Sequence, residues 1–354
     1  KKRVVVNESL KIPSLTLIVA AYNEEDIIEK KIENTLSLSY PPDKIHYTFV
    51  TDGSSDTTPD KVKLYPQIKL MHLPERNGKV NAMHRAMQEV STDVVVFTDA
   101  NALLNQEALL NITRHYTVAK VGAVSGEKRV HSPDVSDATA GEGFYWKYES
   151  LLKKWDSELF SVVGAAGELF SIRTELYTPV PEDTILDDFM ISLKIASLGY
   201  TIAYEPASFA VESSSVSIRE ELKRKVRIAA GGIQSIGRLT SLFNFFKHPV
   251  LSFQFISHRV LRWTITPFCL FLAFFTNIII IAQSAGTFYQ LLLAAQVFFY
   301  TFSFMGWAFE KREMKVKLFF IPYYFCLMNY TVLAGIKRYF SGKQSAVWEK
   351  ALRK

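Results

Sequence analysis

The sequence predicts an α/β domain followed by a set of membrane helices. Three observations carry that reading. Between residues 15 and 100, short apolar runs alternate with stretches of helical spacing. Later, residues 263–282, 288–309 and 318–336 contain no charged side chain. Each window has about 20 residues, enough to cross a hydrocarbon core of roughly 30 Å. Finally, basic residues gather at 1–3, 219–227, 311–317 and 337–354, mostly beside those windows. That placement fits the cytoplasmic face of a membrane better than a nucleic-acid groove.

The elements follow in order. Leu15–Ala21 is a continuous apolar run, the pattern of a buried parallel strand. Ile27, Ile28, Ile32 and Leu36 then repeat at helical spacing. Residues 47–50 and 68–71 give the second and third strands, and Val80, Met83, His84 and Met87 mark a helix. Residues 94–97 form the fourth strand. Connections this short imply right-handed crossovers and a parallel sheet covered on both faces.

Residues 121–130 read as a strand, 141–160 as an aromatic-rich helix, and 187–198 as a helix with Ile191, Ile195 and Leu198 on one face. A short strand, 201–204, follows Gly199, and a basic helix spans 217–239. Residues 241–259 are Phe-rich and amphipathic without a full span, and read as a helix lying along the membrane surface. The expected organisation is a cytoplasmic α/β domain over 1–240, the interfacial helix over 241–259, about three spans over 260–337 and a basic tail over 338–354. The opening Lys-Lys-Arg reads as the flank of a preceding membrane span.

Composition narrows the chemistry. Both cysteines, Cys269 and Cys326, lie in apolar windows, so no disulfide framework or thiolate metal spacing exists. The seven histidines form no HxxxH pattern, which argues against a zinc enzyme. A GxGxxG turn after the first strand and a P-loop are both absent.

In open parallel sheets, ligands bind beyond the C-terminal strand ends. Here those ends carry Tyr22-Asn23-Glu24, then Asp52-Gly53-Ser54-Ser55-Asp56, then Thr98-Asp99-Ala100-Asn101. Helix capping explains one such residue per loop, as for Asp56, but not acids at three strand ends. An acidic edge repels bare phosphate. It suits a nucleotide that donates to carboxylates, with a divalent metal neutralising its diphosphate. Asp99 and Asn101 offer hard oxygen ligands for Mg²⁺ or Mn²⁺. Asp187-Asp188 opens a helix, where a general base would face the donor. Arg224, Lys225 and Arg227 sit on the basic helix, suited to a leaving diphosphate or to anionic lipid headgroups.

Together these residues resemble family 2 glycosyltransferases, and more narrowly the membrane-integrated branch of cellulose, hyaluronan and poly-N-acetylglucosamine synthases. The resemblance covers residues 14–232. It implies a GT-A fold (Rossmann-like, binding a nucleotide-diphospho-sugar), an inverting mechanism and a divalent metal. Tyr22-Asn23-Glu24 resembles the opening nucleotide-binding motif, and Asp52-Gly53-Ser54 the uridine-contacting one. Arg76-Asn77-Gly78-Lys79 with Asn81 stands where the family borders the donor nucleotide. Asp99-Ala100-Asn101 stands at the DxD position, with Asp99 and Asn101 toward the metal. Leu186-Asp187-Asp188 stands at TED, so Asp188 inherits the role of catalytic base. Gly167, Glu168 and Asp187 fall near the acceptor.

Arg224-Lys225-Val226-Arg227-Ile228 aligns with QxxRW through Arg227, but Arg224 replaces Gln and Ile228 replaces Trp. The family implies roles for Arg224, Lys225 and Arg227 at the diphosphate. The donor is expected to be a UDP-sugar. The acceptor is expected to be a growing polysaccharide, with a single transfer to a lipid-linked saccharide as the rival. A catalytically inactive scaffold subunit is a rival from another class, and intact Asp52, Asp99 and Asp188 speak against it. No nucleic-acid partner is expected. Localisation is expected in the inner (cytoplasmic) membrane. Three full spans conflict with a basic tail beginning at Lys337 and Arg338, which belongs on the cytoplasmic side. A third window that is tilted or re-entrant, weakened by Pro322, Asn329 and Gly335, relieves the conflict.

Overall fold

The computed structural model describes residues 12–131, 137–213, 218–283, 286–312 and 316–342. The basic residues 1–3 and the tail cations Lys343, Lys350, Arg353 and Lys354 lie outside the described residues.

Eight strands form one mixed sheet. They are β1 (Leu15–Ala21), β2 (Ile45–Asp52), β3 (Ile68–Leu73), β4 (Val94–Asp99), β5 (Leu103–Leu104), β6 (Val121–His131), β7 (Leu169–Arg173) and β8 (Thr201–Ser213). The order across the sheet is β3-β2-β1-β4-β7-β6-β8-β5. The first four strands are parallel, as their spacing predicts. Beyond β4 the sheet becomes mixed: β7 runs antiparallel to both β4 and β6, while β8 runs parallel to β6. β7 has only five residues and enters from a glycine-containing loop, so its sequence gives too short a run to stand out. β8 extends well past the expected 201–204. Pro206 is exposed near a register shift against β6, and the inward alternation resumes at Ser208, Ala210 and Glu212.

The helices are α1 (Ile28–Leu36), α2 (Thr58–Lys63), α3 (Lys79–Met87), α4 (Ala108–Thr113), α5 (Asp137–Leu159), α6 (Asp187–Ser197), α7 (Ile218–Arg238), α8 (Pro249–Phe255), α9 (Leu261–Trp263), α10 (Thr266–Ala282), α11 (Thr287–Lys311) and α12 (Lys317–Phe340). One apolar cluster joins the sheet to the later helices, running from Ile18 and Phe170 through Phe189 to Phe255 and Trp263.

The 241–259 segment is not one helix. It is a 3₁₀ turn at Thr240–Phe243, then α8 with Pro249 in its first turn, then a π turn at Ile256–Val260. Leu242, Leu251 and Phe255 are buried in the catalytic domain's core, while Phe245, Phe246 and Phe253 are exposed.

Of the three expected spans, α11 and α12 are long and apolar enough to cross a membrane alone. α10 has 17 residues and qualifies only together with the Pro249–Trp263 segment, from which it bends by 66°. α12 is continuous through Pro322, which lies near its N-terminal end. Its C-terminal half packs directly on α7: a Cβ on Gly335 would meet the Ala229 Cβ at 2.5 Å. Tyr324 donates to the buried Glu221 of α7 at 2.7 Å.

That approach has no room for a side chain. Gly335→Val should force α12 off α7 and cost about 1–3 kcal/mol, as overpacking does. Thermal unfolding in detergent measures it. An unchanged melting temperature would mean that the two helices do not meet there.

Candidate active site

The loops after β1 and β2 are stitched to each other. Asn23, at a positive φ of 51°, accepts from the Ser55 amide at 2.9 Å, and its own amide donates to Ser54 Oγ. The Glu25 amide donates to Asp56, and Asp56 Oδ1 accepts from the first amide of α2, the capping role expected of it. Gly53 has φ +70°, and a Cβ there would strike Arg76 Cβ at 2.5 Å, so only glycine lets the two loops close.

A small cleft lies over the sheet edge, lined by Tyr22, Asp52, Arg76, Gly78 and Lys79 among others. The Arg76 guanidinium sits 3.8 Å from the Tyr22 ring centroid. Asp52 Oδ2 accepts from the amides of Asn77 and Gly78 at 2.9 and 2.6 Å. Its Oδ1 is buried with no partner among the described residues. A buried acceptor of that kind suits an N–H of a nucleobase.

Lys79 stands at the start of α3 and links the donor edge to α6. Its Nζ is 2.8 Å from Asp99 Oδ1 and 3.5 Å from Asp187 Oδ2. Burial alone would drive its proton off, but Asp187, Asp99 and Asp188 outweigh that and hold it charged. Burial keeps the Asp99 carboxyl above the usual range despite Lys79. Asp188 is pushed up to about 7, first by burial and then by the adjacent Asp187. Gly167 clears space beside it: a Cβ there would lie 3.2 Å from Asp188 Oδ2.

Beneath Asp99 lies a lysine that periodicity does not reveal. Lys31 of α1 is 0% exposed and donates to Thr98 Oγ1 at 3.1 Å and to the Ala102 carbonyl. It thus ties both ends of the Asp99–Asn101 turn. Thr98 in turn donates to the Glu168 carbonyl at 2.9 Å. The Glu168 carboxylate is bound by Lys128, which also binds Glu212. Burial opposes the charge on Glu168, yet Lys128 holds it below the usual carboxylate range.

A cavity of about 960 Å³ opens from these acids toward the apolar helices. Asp99, Gly167, Glu168 and Asp188 line one end, and Arg224, Lys225 and Ile228 of α7 follow. Neither Arg227 nor Asn81 is among the lining residues of either space; Asn81 donates to Glu182 at 3.3 Å. Among the lining residues that escape the sequence reading are Glu149, Arg259, Arg262 and Trp263. Arg259 and Arg262 both bind the buried Glu149 of α5, and the Trp263 ring packs 5.4 Å from Phe189. Their only signal in the sequence is a pair of arginines three apart that ends in tryptophan beside an apolar window.

Among the described residues, no group of three or more His, Cys, Asp or Glu is placed to hold a metal. Asp99 and Asn101 nevertheless present hard oxygens at this edge, and the Lys79 ammonium already sits where the carboxylates draw a cation. The donor set fits an ion completed by phosphate oxygens rather than one held by protein alone.

Residues 16–178 match the model of glycosyl transferase family 2. That segment, a little under half of the chain, is similar to family 2 glycosyltransferases. A poly-beta-1,6-N-acetyl-D-glucosamine synthase from Staphylococcus aureus (strain MSSA476) is 29% identical over 231 residues, 62% of this chain and 55% of that protein. The corresponding synthase from Staphylococcus epidermidis is 25% identical over 64% of this chain and 57% of its own length. The chain therefore spans little more than half the length of these curated relatives. A solved mannosyltransferase from Pyrobaculum calidifontis, in complex with GDP-Man and Mn²⁺, superposes with a TM-score of 0.70. It covers 94% of this chain and 88% of its own at 24% identity. The sheet domain has the GT-A fold, followed by apolar helices.

Asp188 ties stability to pH. The folded chain keeps a proton there up to about pH 7, whereas an unfolded aspartate releases it near pH 3.9, roughly. Stability from this group therefore falls as pH rises through that window. Asp188→Asn should raise the melting temperature at pH 8, and by less at pH 5. A gain equal at both pH values would mean that Asp188 is not held protonated.

Proposed function

We propose that this chain is a membrane-bound, inverting, metal-dependent glycosyltransferase that adds a sugar from a nucleotide-diphospho-sugar to a growing polysaccharide. The observation that carries the reading is the position of Asp188, a half-buried carboxylate between the Lys79–Asp99 edge and a large cavity, where burial and Asp187 push it up to about 7. A general base works best near the operating pH. The acceptor hydroxyl gives its proton to Asp188, and its oxygen attacks the anomeric carbon opposite the diphosphate, which inverts that centre. Lys79 meets the charge that develops on the leaving diphosphate, with Arg224, Lys225 and Arg227 of α7 beyond it. Asp99, with Asn101, would hold Mg²⁺ or Mn²⁺, which when bound neutralises the diphosphate.

UDP is the proposed nucleotide, because Asp52 Oδ1 offers an acceptor to a uracil N–H. The polymer acceptor draws on the relatives, which are named as poly-N-acetylglucosamine synthases. The proposed site is the inner membrane with the catalytic domain cytoplasmic. With α11 and α12 as the two crossings the chain would return to the face it left, and the basic Lys337 and Arg338 support that reading.

The purified chain should release nucleotide from one member of a nucleotide-sugar panel. Asp188→Asn should cut that turnover by about 10²–10⁴-fold, the range for a lost general base. Near-normal turnover would shift the role to Asp187. EDTA should abolish release and Mn²⁺ or Mg²⁺ restore it; release that survives thorough chelation would overturn the assignment of Asp99 to a metal.

A further inference from the structure

The C-terminal half of α5 is built inside out. Glu149, Lys153 and Asp156 recur at helical spacing, and all three are buried. Glu149 is bound by Arg259 and Arg262. Asp156 is bound by His258 at 2.8 Å and accepts from the Gln254 side chain at 3.0 Å. Lys153 lines the large cavity, as Glu149 does. Tyr148, Leu151, Trp155 and Leu159 share another face, and all four are exposed, with Trp155 at 53%. A helix on the surface of a water-soluble domain has the reverse arrangement, apolar residues inward and charges outward. Single exposed apolar side chains are ordinary; four large ones in one stripe mark a contact surface.

The neighbours of α5 indicate what meets this stripe. The helix runs antiparallel to the Pro249–Trp263 segment, since Asp156 meets Gln254 and His258 while Glu149 meets Arg259 and Arg262. That segment passes through its 66° bend into α10. Phe253 and Leu261 along it are exposed, as are Ile265 at the bend and Phe268 and Phe271 of α10. α5 also packs against α12, and Tyr148 shares the cavity wall with Phe320 and Ile321 of that helix. The stripe therefore adjoins the apolar helices on two sides. Along one edge of it stand Lys147 and Lys154, both exposed, with Glu158 following them. Lysine stems lie along apolar surface and deliver their ammonium groups to the headgroup level. Two cations against one acid favour anionic headgroups.

We propose that α5 lies along the bilayer surface, with Tyr148, Leu151, Trp155 and Leu159 among the acyl chains and Lys147 and Lys154 at anionic headgroups. The inference goes beyond the glycosyltransferase reading and shares with it the premise that α11 crosses a membrane. Adjacency to the apolar helices favours a bilayer over a second copy of the chain or another protein. α5 then acts as a partition. One face meets lipid, and the other carries Glu149 and Lys153 into the cavity wall. A helix is about 10 Å across, so a single helix separates lipid from the cavity that Asp188 lines.

The test places single nitroxide labels on the full chain in nanodiscs of phosphatidylcholine and phosphatidylglycerol, in a Cys269→Ser, Cys326→Ser background. Labels go on Leu151→Cys, Trp155→Cys and Leu159→Cys. Asp60→Cys on α2 is the aqueous reference, and Phe298→Cys on α11 the membrane reference. Power saturation then compares collisions with oxygen, which enters lipid, and with a nickel chelate, which stays in water. The oxygen-to-nickel ratio should be about tenfold higher at each α5 position than at Asp60→Cys, as for residues seated in acyl chains. Ratios like that of Asp60→Cys would refute the lipid contact. Protection from both reagents would put protein on the stripe and refute it equally. Raising the phosphatidylglycerol fraction should deepen the Trp155→Cys label, and Lys147→Glu with Lys154→Glu should cancel that shift. A shift that survives both changes would take the lysines out of the contact. A water-exposed Phe298→Cys label would bring down the membrane crossing and this proposal together. Nucleotide release on the same preparations keeps the catalytic reading separate. Release with water-exposed α5 labels sinks the lipid contact alone. Lipid-seated labels without release from any donor sink the glycosyltransferase reading and leave the lipid contact standing.

Discussion

Lys79 reaches from the first turn of α3 into a place where Asp99, Asp187 and Asp188 converge from β4 and α6. Without an ammonium there, three carboxylates would face one another in a buried setting, and like charges so placed cannot all ionise. The lysine divides them by function. Asp99 is bonded to it directly, and Asp187 lies at the edge of its reach. Asp188 is left with burial and a neighbouring acid as its main influences, which is why its pKa stands near neutrality. The three carboxylates thus differ in their distance from one nitrogen, while burial raises both Asp99 and Asp188.

A second layer of charge supports this arrangement. Lys31, Lys128, Glu168 and Glu212 lie deep beneath the donor edge, with Lys31 and Lys128 almost without exposure. Buried ion pairs add little net stability, because desolvation cancels most of their attraction. Their value here is geometric. Lys31 fixes the turn that bears Asp99, and Thr98 and Glu168 pass that fixity to the strand beside the acceptor end. Replacing Lys128 with an apolar residue would leave Glu168 and Glu212 charged and unmatched, and replacing Lys31 would free the turn that bears Asp99.

The parallel half of the sheet was legible in the sequence because its strands are buried on both faces and read as continuous apolar runs. The three acidic loops were legible because carboxylates at strand ends exceed what capping needs. The second half was not. β7 is too short to show a period, and β8 continues past a proline that usually ends a strand. Lys31 sits at the helical spacing of a core residue, and polarity alone assigns it to solvent. Arg259, Arg262 and Trp263 were hidden for the opposite reason: next to an apolar window, a basic pair with tryptophan looks like a membrane anchor. Only the fold, by bringing α5 beneath them, shows that their partner is Glu149.

The contact between Gly335 and Ala229 lets backbone meet backbone, with no long side chain between to act as a cushion. A tilt of α12 is therefore handed to α7 as a rigid displacement, and α7 carries Arg224 and Lys225 into the cavity wall. Where α12 crosses a bilayer, its tilt follows the thickness of the hydrocarbon layer. Acyl-chain length in the surrounding lipid then becomes a mechanical input to the geometry of these two cations, felt some distance from any lipid headgroup.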